Sequence, residues 1–204
     1  MVAGETITVS YTVTNTGNYT RGFGVGGELW QGSTKKADLG TRTITSLGPG
    51  ANTTGSYSYT TGTDWGGSYI ARCAVWTGTP GSSTQLDTYD RSFTVTARST
   101  NADITVNTIS TVVAGEGITV TYVVTNLSNY DRSFGVGGEI WQGGTKKADL
   151  GAITTSTITK NGGTYTGSYG YTTGTDWGGS YIARCAVWDG GKRPAECVLC
   201  AVIG

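Results

Sequence analysis

The sequence contains no histidine and few charged residues. Histidine is absent from all 204 residues, and Asp, Glu, Lys and Arg together make up 14 % of them. The lack of histidine removes the usual general base and the commonest metal ligand of proteins. The carboxylates are scattered, without the close pairing that a glycosidase needs. We therefore expect no catalytic residue, no metal and no cofactor, and we predict that the protein is not an enzyme.

Basic stretches and long apolar runs are also missing. The 14 Lys and Arg residues balance the 14 Asp and Glu residues, and no basic run is longer than Lys35-Lys36 or Lys146-Lys147. Nucleic-acid-binding proteins carry a basic surface, so no nucleic-acid partner is expected. No apolar stretch reaches the roughly 18 residues of a membrane span. The start, MVAGETITV, has neither the basic nor the apolar region of a signal peptide, and we expect it to lie inside a repeat.

Threonine, glycine and aromatic residues are abundant instead. The chain has 38 threonines, 34 glycines, 12 tyrosines and 6 tryptophans, but only 3 prolines. Threonine is β-branched and suits a half-exposed pleated surface, whereas glycine supplies turns and bulges. This composition predicts an all-β chain with a polar, aromatic surface.

Two long blocks of sequence occur twice. TDWGGSYIARCAVW stands at Thr63–Trp76 and Thr175–Trp188, and GGELWQGSTKKADLG at Gly26–Gly40 returns as GGEIWQGGTKKADLG at Gly137–Gly151. The offset is 141 − 30 = 111 in the second block and 185 − 73 = 112 in the first, so one residue is inserted between them. The pattern predicts a duplicated domain, with repeat one at residues 1–98 and repeat two at residues 99–204.

Within a repeat, apolar and polar residues alternate with a period of two. Ile7, Val9, Tyr11 and Val13 face one side of a predicted strand. Further strands are predicted around Phe23–Leu29, Thr41–Ser46, Asn52–Thr60, Tyr69–Val75 and Phe93–Val95. Six or seven short strands per repeat, separated by turns, are typical of a β-sandwich. We therefore predict two tandem immunoglobulin-like β-sandwiches.

The two repeats differ at their ends. Repeat two opens with ADITVNTI (Ala102–Ile109), for which repeat one has no counterpart, and it diverges after Trp188 into DGGKRPAECVLCAVIG. We predict that the first domain lacks its opening strand and that the second has an atypical last strand. Because open sheet edges pair with other chains, the tail of one copy is predicted to fill the gap in the next, giving a head-to-tail filament. The strand-exchange candidates are Cys197, Val198, Leu199, Cys200 and Val202.

Tryptophan and arginine side chains share the outward row of two strands predicted to pair. Three interpretations stay open: the rings pack over neighbouring glycines, they form a subunit interface, or they stack on sugar rings. The interface or glycan-contact candidates are Trp30, Trp76, Trp141, Trp188, Arg72 and Arg184.

The cysteines and the glycosylation sequons give weaker signals. Cys73 and Cys185 fall on the inner row with no cysteine on the facing strand, so each is predicted to be a small buried hydrophobic residue. Cys197 and Cys200 form a C-x-x-C pair without the further ligands of a zinc site, and a disulfide is the alternative. If the chain is exported, the sequons make Asn18, Asn52 and Asn126 glycosylation candidates.

Several of these motifs resemble a known family. ITVSYTVTNTGN (Ile7–Asn18), GSYIARCAVW (residues 67–76) and LDTYDRSFTV (Leu86–Val95) are similar to the CARDB family, the cell-adhesion-related immunoglobulin-like domain of bacterial and archaeal surface proteins. Trp188-Asp189-Gly190 matches the family's WDG in repeat two. The resemblance covers nearly all of repeat one and most of repeat two.

The resemblance implies an extracellular, non-catalytic module strung along a larger protein. From it we expect a structural or adhesive role at the cell surface, with self-association into a homopolymer or other surface proteins as partners. The alternative is a carbohydrate-binding accessory module of a secreted enzyme, with a glycan as its ligand.

Overall fold

The chain folds entirely into β-strands and the turns between them. The computed structural model describes residues 1–107 and 112–189 with their side chains and residues 201–203 by their backbone. No helix occurs in this part of the chain, and the strands form sandwich-like pairs of sheets. The prediction of immunoglobulin-like β-sandwiches is therefore confirmed. Cys197, Val198, Leu199 and Cys200 lie outside the described residues.

The first compact unit, unit 1, comprises Met1–Arg98 and contains six antiparallel strands. The strands are β1 (Thr6–Thr14), β2 (Arg21–Gln31), β3 (Thr34–Leu47), β4 (Asn52–Thr60), β5 (Gly67–Trp76) and β6 (Gln85–Val95). One sheet has the order β3-β2-β5-β6, and the other consists of β1 and β4.

The second compact unit, unit 2, comprises Ser99–Gly204. Its strands are β7 (Ala102–Val106), β8 (Gly117–Asn126), β9 (Gly135–Gln142), β10 (Thr145–Thr154), β11 (Gly163–Thr172), β12 (Tyr181–Trp188) and β13 (Ala201–Ile203). The sheets have the orders β10-β9-β12-β13 and β11-β8-β7. Unit 2 therefore repeats the strand pairing of unit 1 and adds β7 beside β8.

Strand β3 is longer than the sequence predicts. Alternation predicts a strand from Thr41, whereas the structure begins it at Thr34. Gln31 pairs with Thr34, so a turn of two residues joins β2 to β3, and Gly32 adopts the positive φ of 56° that such turns favour. Register shifts between Gly27 and Glu28 and between Leu29 and Trp30 interrupt the alternation, which is why the sequence pattern hides this part of the strand.

An aromatic cluster closes one end of each sandwich. Trp65 is 6 % exposed and stacks on Tyr69, with 4.7 Å between the ring centroids and 9° between the planes. The Tyr69 hydroxyl accepts a hydrogen bond from the backbone N–H of Gly66 at 3.3 Å. Trp177 and Tyr181 repeat the stack in unit 2 at 4.7 Å. These residues of the duplicated TDWGGSY segment therefore have a structural role.

Candidate functional site

Strand β1 has one paired edge and one open edge. Asn15, just after β1, accepts a backbone hydrogen bond from Gly50 at 2.8 Å and donates one to Ala51 at 2.9 Å. Because backbone groups alternate along a strand, those of Thr14, Thr12 and Ser10 point to the opposite side. No strand of the described residues pairs with β1 on that side.

In unit 2 the corresponding edge is covered by β7. Ile104 of β7 lies opposite Val124, and Val106 lies opposite Tyr122, in the antiparallel sense. The side chain of Ile104 is 2 % exposed and belongs to the unit's core. Unit 2 therefore shows how a strand seats itself on an edge whose sequence is close to that of β1.

The uncovered side of β1 opens into a cleft between the two sheets of unit 1. The cleft has a volume of about 740 Å³. We call it the β1 cleft. Its walls include Ile7, Val9 and Tyr11 of β1, Cys73 and Val75 of β5, and Tyr89 of β6. Tyr89 is 70 % exposed, which is high for an apolar ring on the inner row of a sheet.

The covering strand explains a difference in burial between the two units. In unit 2, Val120 and Tyr122 are 0 % exposed. Their counterparts 111 residues earlier, Val9 and Tyr11, are only half-buried. Residue types are the same at these positions, so the difference follows from whether a strand lies against the edge. The β1 cleft thus leaves apolar core surface in contact with water.

Cys73 and Cys185 show the same difference in burial between the two units. The sequence predicts that both are buried, but only Cys185 is, at 0 % exposure. Cys73 is half-buried because its thiol lines the β1 cleft, so the prediction is wrong for Cys73. Partial burial raises the pKa of the Cys73 thiol, since the thiolate is less well solvated there.

In the folded chain we expect a maleimide to modify Cys73 at least about tenfold faster than Cys185, because Cys185 reacts only when the core opens. The thiolate is the reacting form and the pKa of Cys73 is raised, so the rate should keep increasing with pH above the ordinary titration range of cysteine. Peptide-mapping mass spectrometry over a pH series measures both rates. Equal rates for the two thiols would contradict an open cleft.

The outer face of the four-stranded sheet in unit 1 carries a row of paired charges. Glu28, Arg72 and Asp90 stand side by side on β2, β5 and β6, and Lys35 of β3 lies opposite Trp30, next to Glu28. Lys35 Nζ lies 3.2 Å from Glu28 Oε1, and Arg72 donates two hydrogen bonds to Asp90 at 2.8 and 2.7 Å. These hydrogen bonds lower the pKa of Asp90 and raise that of Arg72.

Trp30, the tryptophan nearest this row of charges, contacts two of its members. The Trp30 indole N–H donates to Glu28 Oε2 at 2.8 Å, and Arg72 Cζ lies 5.4 Å from the ring centroid. In unit 2, Trp141 donates to Glu139 at 2.9 Å, and Arg184 Cζ lies 4.8 Å from the Trp141 ring. A guanidinium of the same sheet therefore covers one face of each ring, instead of the glycines that the packing interpretation named. A subunit or glycan contact at these residues stays a prediction.

The two outward tryptophans of each unit do not form one platform. Trp30 lies opposite Ile70, whereas Trp76 lies opposite Gly24, at the other end of the β2–β5 pair. Six residues separate the two pairs along β2, or about 20 Å at the rise of a strand. A contact made by both rings would therefore have to extend along the whole β2–β5 pair, and whether they make one stays a prediction. Trp188 and Trp141 are likewise opposite Gly135 and Ile182.

Trp76 packs on its own sheet. A Cβ atom placed on Gly26 would lie 3.1 Å from the Trp76 ring, so the glycine leaves room for the indole. In unit 2, Trp188 covers Gly135, the residue directly opposite it, and a Cβ atom on Gly135 would overlap the indole. Both observations agree with rings that cover small residues.

One of the three sequon asparagines is inaccessible. Asn126 is 0 % exposed, and its Nδ2 donates to the carbonyls of Tyr130 at 3.1 Å and Ile158 at 2.9 Å. The amide nitrogen that would carry a glycan is thus buried and hydrogen-bonded within the fold, and the prediction for Asn126 is wrong. Asn18 and Asn52 are exposed, and their glycosylation stays a prediction.

The tail contributes one described strand. Residues 201–203 form β13 and pair with β12, so Val202 lies opposite Ile182. The end of the tail is therefore placed as the last strand of its own unit. Strand exchange through this tail stays a prediction.

The described residues lack both metal-binding clusters and membrane-spanning helices. They contain no group of three or more His, Cys, Asp or Glu side chains able to hold a metal ion. They also contain no helix long and apolar enough to cross a membrane.

Comparison with known proteins gives one family match. Residues 1–77 match the family model of CARDB. The match lies within unit 1, which is thereby a CARDB-like immunoglobulin-like domain, of a kind associated with surface proteins. That unit 2 is a second such domain stays a prediction from its repeated sequence. No curated protein sequence matches the chain.

Alternation along β1 predicts its inner row correctly, whereas the wall of the β1 cleft that faces this row was not predicted. Tyr89 lines the cleft, and the open backbone edge at Thr12 has no side-chain signature. Alternation along Asp87–Phe93 puts Tyr89 on the inner row, which is the signal that identifies it.

Proposed function

We propose that this chain is a structural or adhesive repeat module of an extracellular surface protein, and that copies of it join head to tail by strand addition to β1 of unit 1. The observation that carries the proposal is the open β1 cleft, whose counterpart in unit 2 holds a strand. The CARDB match of unit 1 supports the surface role.

Strand addition suits this edge energetically. An incoming strand would satisfy the backbone groups of Ser10, Thr12 and Thr14 and remove the side chains of Val9 and Tyr11 from water. Main-chain hydrogen bonds and alternate side-chain pockets are the usual basis of recognition at a sheet edge. The apolar burial adds the main favourable free energy.

The polarity of the contact determines the shape of the assembly. The acceptor edge belongs to unit 1, and the predicted donor is the tail containing Cys197–Val202. Donation of this tail requires residues 201–203 to leave their pairing with β12. A contact between two different surfaces of the same chain leaves a new acceptor at the end of each growing chain. Unless the ring closes, such heterologous addition yields a filament.

Electron microscopy of the purified chain tests this proposal. We expect linear polymers from the wild type, and only single particles after deletion of residues 195–204. Polymers of unchanged length in the deletion variant would contradict strand exchange through the tail. Failure of the wild type to polymerise at any concentration would contradict the filament.

The double variant Trp30→Ala and Trp141→Ala is the matched control. It alters the outer sheet face and leaves β1 and the tail intact, so we expect polymers of wild-type length. Loss of polymers in this variant alone would assign the contact to the tryptophans instead.

A further inference from the structure

Strands β3 and β10 form an edge of the larger sheet in their units. Among the described residues, no strand pairs with β3 on the side away from β2, or with β10 on the side away from β9. Both strands lie in the middle of their units, between strands that the structure describes. Strand β3 has 14 residues, most of them exposed. A long edge strand presents backbone N–H and C=O groups on which another chain can add a strand.

Two extra residues interrupt each of these edge strands. Register shifts in the β2–β3 pair leave Lys36 and Leu39 with no counterpart on β2. Lys147 and Leu150 are the extra residues of β10 in the same way. Such β-bulges bend a strand and disturb the regular spacing of its backbone groups. Without the two residues of β3, outward and inward side chains would alternate without interruption over residues 35–44.

The second bulge of each strand also occupies a backbone donor. The N–H of Gly40 donates to Oδ1 of Asp38 at 2.8 Å, within β3 itself. Gly40 has a φ of 89°, which a residue with a Cβ atom rarely adopts. In unit 2 the N–H of Gly151 donates to Oδ1 of Asp149 at the same distance of 2.8 Å. A strand added from outside would therefore find this donor already bonded.

The lysines beside the bulges add a second obstacle. Lys35 Nζ lies 3.6 Å from Oδ2 of Asp38, so it helps to orient the carboxylate that accepts from Gly40. Lys36 Nζ lies 5.8 Å from the centroid of the Trp65 ring, at the end of the sandwich. Consecutive ammonium groups thus have different surroundings at this edge. A strand paired here would dehydrate them, which is unfavourable for a charged group.

We propose that the paired bulges of β3 and β10, together with the carboxylates of Asp38 and Asp149, keep these edges from pairing with the same edge of a second copy of this chain. The inference does not rest on the proposed function, because it concerns other strands. It identifies a surface that copies of the chain do not use when they associate.

A variant without Lys36 and Leu39, the bulge-free variant, tests the proposal in the full chain. It keeps the cross-strand pairs of β3 with β2 but makes the edge regular. Hydrogen exchange of β3 is followed by mass spectrometry from about 1 µM to about 1 mM protein, a range that covers weak to moderate association. When about nine edges in ten are paired, exchange of β3 in the variant should be about tenfold slower than in the dilute sample. Wild-type β3 should show no dependence on concentration.

Unit 2 provides the matched control. Removal of Lys147 and Leu150 should make exchange of β10 depend on concentration and leave β3 as in the wild type. The bulge-free variant should in turn leave β10 unchanged. Exchange of the central strands β2, β5, β9 and β12 in the same spectra, together with circular dichroism, checks that both variants are folded.

Two substitutions at Asp38 test the hydrogen bond without removing residues. Asp38→Ala deletes the acceptor of the Gly40 N–H, whereas Asp38→Asn keeps an oxygen acceptor without the charge. In dilute samples, exchange at Gly40 should be about tenfold faster in Asp38→Ala, the effect of losing one hydrogen bond, and unchanged in Asp38→Asn. Toward the highest concentration, exchange of β3 should slow in Asp38→Ala alone.

The strand on which exchange slows distinguishes the outcomes. Slowing of β3 in the bulge-free variant supports the inference, and a folded bulge-free variant with exchange independent of concentration overturns it. Should that variant fail to fold, equal behaviour of Asp38→Ala and Asp38→Asn overturns it instead. Slowing of wild-type β3 at high concentration also overturns it. Polymers joined through β1 would slow exchange of β1 and not of β3, so failure of the proposed function is seen separately.

Discussion

Alanine in place of Asn126 is expected to lower the free energy of unfolding of unit 2 by about 4 kcal/mol, because three buried hydrogen bonds are lost together. The side chain is 0 % exposed and donates to the carbonyls of Tyr130 and Ile158. Its Oδ1 accepts from the N–H of Ser128 at 2.9 Å. Because the side chain is fully buried in the wild type, bulk solvent does not compete with these contacts.

Hydrogen exchange measured by mass spectrometry under increasing urea follows the unfolding of each unit independently. It therefore gives the decrease in the free energy of unfolding of unit 1 and of unit 2. Asn15→Ala should have a similar effect confined to unit 1, since Asn15 donates to the carbonyls of Tyr19 at 2.9 Å and Leu47 at 2.8 Å. The exposed Asn18 is the control, and Asn18→Ala should change little. A loss below about 1 kcal/mol for Asn126→Ala would show that the network contributes no more than one ordinary hydrogen bond.

Valine at Gly167 is expected to destabilise unit 2 by about 3 kcal/mol, through overpacking of a core that has no room to relax. Gly167 lies directly opposite Tyr122, and a Cβ atom at Gly167 would lie 2.6 Å from Tyr122 Cζ. The Tyr122 ring is 0 % exposed, so it has no free space to move into. The glycine is thus the cross-strand partner that makes room for the tyrosine.

Thermal and urea unfolding measure the loss of stability, and valine substitutions at two other glycines provide the comparison. Gly170→Val lies on the same strand with no atom within 4 Å of its Cβ, and should be neutral or slightly stabilising. Gly55→Val creates the same clash with Tyr11 in unit 1, but should cost less because Tyr11 is half-buried beside the β1 cleft. Equal losses for Gly55→Val and Gly167→Val would mean that the cleft gives Tyr11 no freedom.

The fold follows from the sequence because alternation with a period of two is a local property. It assigned Ile7, Val9 and Tyr11 to one face, and they do face the inside of the sandwich. Alternation does not reveal whether another strand covers that face. Comparison of the two repeats predicted the additional strand of repeat two, and the register of β7 on β8 shows that this strand separates buried Tyr122 from half-buried Tyr11.

Other features of the site depend on cross-strand register, which the sequence does not display. Trp30 and Trp76 share a face, but their separation follows from the pairing of β2 with β5. The burial of Asn126 was hidden for a similar reason, because asparagine after a strand is equally typical of an exposed turn. The carbonyls it binds belong to residues 4 and 32 positions away.

The near-identity of the two units has a consequence for how the chain folds. Strand β12 repeats the last eight residues of β5, so in an unfolded chain it can pair with β2 as well as with β9. The incorrect pair would form the same hydrogen bonds and bury almost the same side chains, and little free energy opposes the exchange. Misassembly between adjacent repeats is a known failure of such chains. Synthesis from the N-terminus avoids it, since unit 1 is complete before β12 emerges, whereas refolding from denaturant offers both partners at once.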